Sequence, residues 1–317
     1  MNELKKIKIE FDNYFVIILP FFNESNVLNL LIQNLSATLK NIDQNFILLF
    51  VNDGSTDDSQ QKLEKSEIDN KNIQIMSIEL MSNHGHQNAI RQGLIFIREY
   101  LIGGLVGTII MDADGEDNPE AIKELVKKKE FDIVFVTRGK RKESITFKMG
   151  YFFYKLIFKM ITGKVINFGN YSMISKMVLN AISHKKFFHY SAFLSKHRFK
   201  IEHIKFDRNK RIDGKSKMGY KNLLIHAIKS LIEYYEDLIV FQIKVFILIL
   251  ILFAGLLGYV VYEKFISHTA ILGWPSTLLI GLINGLLIIF SSIVLSSLIM
   301  TVKNNLDQEN IKLKNHN

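Results

Sequence analysis

The residues best placed to do chemistry in this chain are Asp112, Asp114 and Asp117. They follow an apolar run, Ile109-Ile-Met111, within the stretch Asp112-Ala-Asp-Gly-Glu-Asp-Asn-Pro-Glu120. Carboxylates this close repel one another and resist desolvation unless a positive charge sits among them. A hard divalent ion, Mg2+ or Mn2+, keeps some of its waters and takes further oxygens from a bound diphosphate, so Asp112 and Asp114 read as its ligands. Asn118, Pro119 and Glu120 look like a helix start, with a capping side chain, a proline at the first helical position and an acid in the first turn. A solvated acidic turn explains such a pair of acids when it stands alone. Here it does not stand alone.

The elements that must position these groups alternate. Phe15–Leu19, Phe46–Val51, Ile73–Glu79, Val106–Met111 and Ile133–Val136 read as strands. Glu24–Leu39, Ser59–Glu67, His86–Tyr100 and Pro119–Lys128 read as helices. That rhythm predicts an α/β fold, a mostly parallel sheet covered on both faces. Ligands in such folds bind at the carboxyl ends of strands. Asn23-Glu24 follows the first strand, Asn52-Asp53-Gly54-Ser55-Thr56-Asp57 the second, and Asp112 and Asp114 the fourth. Three polar clusters on one sheet edge describe one site. His84 and His86 flank Gly85 after the third strand; their spacing in a loop is weak evidence for a metal pair, and ligand contacts or helix entry explain them better.

The 317 residues suffice for one large domain with something added. The chain has no cysteine, which excludes disulfides and thiolate metal sites. Its 40 Lys and Arg against 31 Asp and Glu give a net charge of +9, which suits phosphorylated ligands, a lipid surface or nucleic acid. Nucleic acid is the poor choice among these, since no nucleic-acid motif appears and the basic residues cluster beside apolar segments.

Those segments lie toward the C-terminus. Val245–Val261 and Thr269–Val302 carry no charge, and with Leu238–Ile243 added to the first, each exceeds the roughly 20 residues a spanning helix needs. Transmembrane helices over 238–262 and 276–302 are expected, with Tyr259, Tyr262 and Trp274 near the ends that face the short connection. Two spans put both flanks on one side. Lys303, Lys312 and Lys314 in the tail, 303–317, favour the cytoplasm, although Asp307 and Glu309 dilute the bias. The apolar run Tyr14–Phe22 lacks a small-residue cleavage site and reads as a first strand rather than a signal peptide. Over 145–162, Lys148, Lys155 and Lys159 share a helical face while Phe152, Phe153, Leu156 and Met160 fill much of the rest, as in a helix lying in a membrane interface or one packed against a core. Residues 219–237 form a second amphipathic stretch leading to the first span.

Taken together, the polar clusters resemble glycosyltransferase family 2, in particular the membrane-anchored polyprenyl-phosphate glycosyltransferases related to dolichyl-phosphate mannose synthase. Pro20-Phe-Phe-Asn-Glu24 resembles the pattern P-x-x-N-E, and Val51-Asn-Asp-Gly-Ser-Thr-Asp57 resembles V-D-D-G-S-x-D. Asn83-His-Gly-His-Gln87 is similar to the N-x-G-x-x segment that precedes a helix. Met111–Glu120 is similar to M-D-A-D-x-Q-D-x-P-E, and Arg211-Ile-Asp-Gly-Lys-Ser-Lys217 to the loop R-x-x-G-x-S-K. Asn52 stands where the pattern has its first Asp, and Glu116 where it has Gln. Phe168-Gly-Asn-Tyr-Ser172 replaces G-D-F-R.

The resemblance implies a GT-A nucleotide-diphospho-sugar transferase domain over 1–218, with an inverting, metal-dependent transfer from a UDP- or GDP-linked sugar to polyprenyl phosphate. In it, Asp53 accepts from the base or ribose, and Pro20, Asn23, Glu24, Gly54 and Ser55 shape that pocket, with His86 and Gln87 beside the donor. Asp112 bridges ribose and metal, and Asp114 holds the metal. Arg138, Arg141, Arg211, Lys215 and Lys217 are candidates for phosphate contacts. A lipid monophosphate is already ionised near neutral pH and needs no base. A hydroxyl acceptor on a lipid-linked glycan would need one, and Asp117 is the candidate. The other alternative is a catalytically silent membrane scaffold. The expected setting is the cytoplasmic (inner) membrane, multi-pass, with the catalytic domain in the cytoplasm. Gly255, Gly258, Gly281 and Gly285 offer close-packing faces for a homo-oligomer.

Overall fold

Every residue of Tyr14–Phe21 is buried, as is all of Phe46–Asn52. Strands apolar on successive residues belong in the middle of a sheet covered twice. The computed structural model, which describes residues 9–138, 145–164, 168–209, 220–267, 273–305 and 313–316, places them there as β1 (Tyr14–Phe21) and β2 (Asn45–Asn52). The other strands are β3 (Ile73–Leu80), β4 (Leu105–Ile110), β5 (Ile133–Arg138), β6 (Phe168–Ser175), β7 (Ile201–Phe206) and β8 (Leu313–His316). Together they form an eight-stranded sheet in the order β7-β5-β6-β4-β1-β2-β3-β8. The pairs β1–β2, β1–β4, β2–β3 and β5–β7 are parallel. Strand β6 runs antiparallel between β4 and β5, and β8 runs antiparallel along β3.

Side chains alternate between the two faces. Phe15, Ile17 and Leu19 of β1 join Phe46, Leu48 and Phe50 of β2 under helices α1 (Leu28–Leu39) and α4 (Ala121–Leu125). On the other face Val16 and Ile18 join Ile47, Leu49 and Val51 under α3 (His86–Tyr100), α6 (Lys176–Ile182) and α7 (Tyr190–Lys196). A short α2 (Ser59–Glu64) follows β2.

The expected elements appear, with shifted ends. Helix α1 starts at Leu28 rather than Glu24, because Glu24–Val27 forms a turn in which the Glu24 carbonyl accepts from Val27 and Leu28 N–H. The first helical turn after Asn118 begins at Ala121; the Asn118 side chain accepts from Glu120 N–H at 3.0 Å and its carbonyl from Ala121 N–H.

The chain divides into two compact units. The first holds the sheet, its helices and α8 (Tyr220–Glu233). The second holds residues 149–165, most of α5 (Ile145–Thr162), with α9 (Tyr235–Tyr262), a π-helical turn over Glu263–Ser267 and α10 (Trp274–Asn305). Phe158 of α5 is buried in that unit and meets Tyr234 edge-on, ring centres 5.2 Å apart. Phe152, Phe153, Leu156, Ile157 and Met160 of α5 are exposed. In α9 and α10, Tyr235–Ser267 and Ser276–Leu298 are long and apolar enough to cross a membrane, and neither is buried within the chain. A core helix of a soluble protein would be covered; these are not. Gln242 Nε2 donates to Ser292 Oγ at 2.7 Å between the two helices.

Candidate active site

The strand order brings the carboxyl ends of β4, β1, β2 and β3 side by side, so the segments that follow them share one edge. The loops after β1 and β2 are laced together. Asn23, in the left-handed region with φ 54°, donates its N–H to Ser55 Oγ at 3.0 Å and accepts Thr56 N–H at 2.8 Å. Glu24 N–H donates to Ser59 Oγ at 3.0 Å. Pro20 lies within β1 opposite Val51. Asn52 is fully buried, accepting Ser55 N–H at 2.8 Å and donating to Gln60 Oε1 at 3.1 Å. An aspartate could not make that donation, which accounts for the amide in place of the expected acid.

Asp53 extends the lacing to the loop after β3. Its two carboxylate oxygens accept the N–H groups of His84, at 2.9 Å, and Gly85, at 2.8 Å. Burial pushes its carboxyl above the ordinary aspartate value, and the two donors pull back without cancelling the rise. Gly54, at φ +69°, lies against the Ser82–Asn83 backbone, where an added Cβ would come within 2.5 Å of Ser82 C. Gly85, at φ +90°, then turns the chain into α3. Gln87 in the first turn is engaged by α7, its Oε1 accepting Tyr190 N–H at 2.6 Å.

That turn aims His86 at the acids. His86 Nε2 lies 3.1 Å from Asp112 Oδ1 and 3.1 Å from Asn170 Nδ2, which sits near the start of β6. Burial alone would favour the neutral imidazole, but Asp112, with Asp114 and Asp117 behind it, raises its pKa above the ordinary histidine value. Asp114 Oδ1 accepts Glu116 N–H at 3.0 Å in a tight turn through Gly115. Asp117 is buried, and its Oδ2 accepts Asp112 N–H at 3.0 Å.

Arg208, just past β7, completes the cluster and was not singled out by the sequence. Its Nη1 pairs with Glu116 Oε2, and its Nη2 lies 3.3 Å from Asp117 Oδ1 and 4.0 Å from Asp112 Oδ2. The Asn209 N–H donates to the Glu116 carbonyl at 3.0 Å. Glu116, an acid where the resemblance expects an amide, thus has a cation to match it. Arg138 ends β5 at this same edge, since β4 and β5 both run antiparallel to β6 and so point the same way. Its side chain lies outside the described residues, as do Arg141, Arg211, Lys215 and Lys217.

The donor set suits a hard divalent cation. Asp112, Glu116 and Asp117 already surround one positive group, the Arg208 guanidinium. Among the described residues no three His, Asp or Glu side chains stand close enough to hold an ion unaided. Asp112 and Asp114 would hold such an ion with further oxygens from water or a bound ligand, the mode that Mg2+ favours.

Residues 16–194 match the family model described as glycosyl transferase family 2. An uncharacterised glycosyltransferase of Bacillus subtilis (strain 168) is 29% identical over 289 residues, covering 88% of this chain and 84% of its own length. One from Synechocystis is 30% identical over 228 residues, covering 69% and 68%. The undecaprenyl-phosphate 4-deoxy-4-formamido-L-arabinose transferase of Photorhabdus laumondii is 32% identical over 163 residues, 51% of this chain and 45% of that protein. Among solved structures, mannosyl-3-phosphoglycerate synthase from Rubrobacter xylanophilus superposes with a TM-score of 0.52 at 13% identity, covering 71% of this chain and 74% of that one. Glucosyl-3-phosphoglycerate synthase from Mycobacterium tuberculosis, solved with Mn2+ and UDP-glucose, gives 0.51 at 13% identity, covering 71% and 79%. These likenesses establish the GT-A fold.

Proposed function

The chain belongs to glycosyl transferase family 2 and is a glycosyltransferase, and from that premise we propose that it transfers a sugar from a nucleoside diphosphate to a polyprenyl phosphate at the cytoplasmic face of a membrane. The observation that carries this reading is the acid cluster after β4, set beside the laced loops after β1, β2 and β3 on the carboxyl edge of the sheet. The exposed apolar surfaces of α9 and α10 support a membrane-borne acceptor.

In this reading the loops carrying Pro20, Asn23, Glu24, Asp53, Gly54 and Ser55 receive the nucleoside, held in shape by the hydrogen bonds that lace them. Asp112 and Asp114 would hold Mg2+ or Mn2+, and the ion would supply positive charge to the leaving diphosphate. His86 and Gln87 stand at the start of α3 beside that diphosphate. Arg138, Arg211 and Lys217 are the proposed contacts for donor and acceptor phosphates. The acceptor phosphate oxygen attacks C1 from the face opposite the leaving group, so the anomeric configuration inverts.

Asp117 bears on the choice of acceptor. Its carboxylate is buried and accepts the Asp112 N–H, which leaves it poorly suited to take a proton from a hydroxyl. A lipid phosphate needs no such base. Nucleotide release from a panel of UDP- and GDP-sugars, with Mg2+ or Mn2+ and undecaprenyl phosphate, tests both points. Asp114→Asn is expected to lose about 100-fold or more in turnover, whereas Asp117→Asn retains most of it. Full loss in Asp117→Asn with metal and donor binding intact would transfer the reading to a hydroxyl acceptor.

A further inference from the structure

We infer that Arg208 is a built-in competitor for the metal position: its guanidinium holds the acidic cluster together until a divalent cation takes its place. This rests on the proposed function, since the ion concerned is the one that function requires.

Four acids, Asp112, Asp114, Glu116 and Asp117, fall within six residues of chain, and three of them are engaged by one side chain from 92 positions away. Left alone, such a cluster would repel itself. Arg208 offsets that repulsion, and only 17% of its side chain is exposed. The guanidinium is not saturated, however. Its Nε is buried and makes no hydrogen bond among the described residues. The longest of its three contacts, 4.0 Å, is to Asp112, the residue read as a metal ligand. A doubly charged ion concentrates its charge on these oxygens more tightly than a delocalised guanidinium can. The two cations therefore exclude each other at Asp112, and the free acid cluster never has to exist. An arginine freed by the ion would keep its charge and present Nε and both Nη groups to a phosphate.

The test is Mn2+ binding to the nucleotide-free, full-length protein in detergent, read as loss of the free-ion paramagnetic resonance signal, for wild type, Arg208→Gln and Arg208→Lys. Arg208→Gln is expected to bind Mn2+ about tenfold tighter than wild type, a coupling in the usual range for two linked sites. Added Mn2+ should also raise the thermal midpoint of Arg208→Gln more than that of wild type. Arg208→Lys, which keeps the charge but cannot grip several carboxylates at once, should fall between the two and remains informative if Arg208→Gln folds poorly. Wild-type affinity unchanged or reduced in the variants would overturn the inference while leaving the metal site standing. No Mn2+ binding in any of the three, with UDP or GDP present as well as absent, would remove the metal site, and with it the proposed function.

Discussion

Asn52 and Gly54 show how much of the site's shape is decided by single residues that hold its loops together. Asn52 needs an acceptor and a donor at once, for Ser55 and Gln60. Asn52→Asp would remove the donor and place a second buried carboxylate beside Asp53, for a loss of about 1–3 kcal/mol of stability. Gly54→Ala meets the Ser82–Asn83 backbone and a positive φ together, so the loop anchored on Asp53 must move. Both variants should show a lowered thermal midpoint and weaker nucleotide binding by calorimetry. Unchanged midpoints would mean that the lacing of these loops is not what shapes the pocket. At this scale the sequence is informative about residue types and silent about partners. Asp53 is legible as a loop acid after the second strand, but its burial and its engagement by His84 and Gly85 N–H are not. Arg208 is invisible for the same reason: it reaches Glu116 across 92 residues, from a stretch whose neighbours Lys210 and Arg211 are equally basic.

At the scale of elements, the central strands are legible because β1 and β2 are apolar on every face-alternating position, which leaves little else for them to be. Strand β6 is harder to read. Its segment, Phe168–Ser175, mixes Gly, Asn and Ser with apolar residues and enters antiparallel between β4 and β5, which the βα rhythm does not anticipate. Helix α5 carries a prediction of its own. Its Phe158 is buried against Tyr234, while Phe152, Phe153 and Met160 are exposed. Phe158→Ala should cost about 3–5 kcal/mol of stability. Phe153→Ser should leave the stability in detergent within about 0.5 kcal/mol of wild type, as for other surface changes. Equal losses at the two positions, measured by thermal unfolding, would contradict the face assigned to this helix.

For the whole molecule, the sheet carries the match to the family, and the two long apolar helices are the part to which the proposed reaction assigns the lipid acceptor. The apolar length of those helices is plain in the sequence; that neither is covered by the rest of the chain is something only the structure supplies. The proposed reaction joins both parts, since a polyprenyl phosphate presents its headgroup at a membrane surface and its chain within the bilayer. Incorporation of labelled sugar into undecaprenyl phosphate by the purified full-length protein, with Mg2+ or Mn2+ and each nucleotide sugar in turn, tests that joining most directly. We expect a lipid-phosphate-linked sugar of inverted anomeric configuration, formed only with metal present and absent with Asp114→Asn. Donor turnover that proceeds at the same rate with and without the lipid phosphate would contradict it.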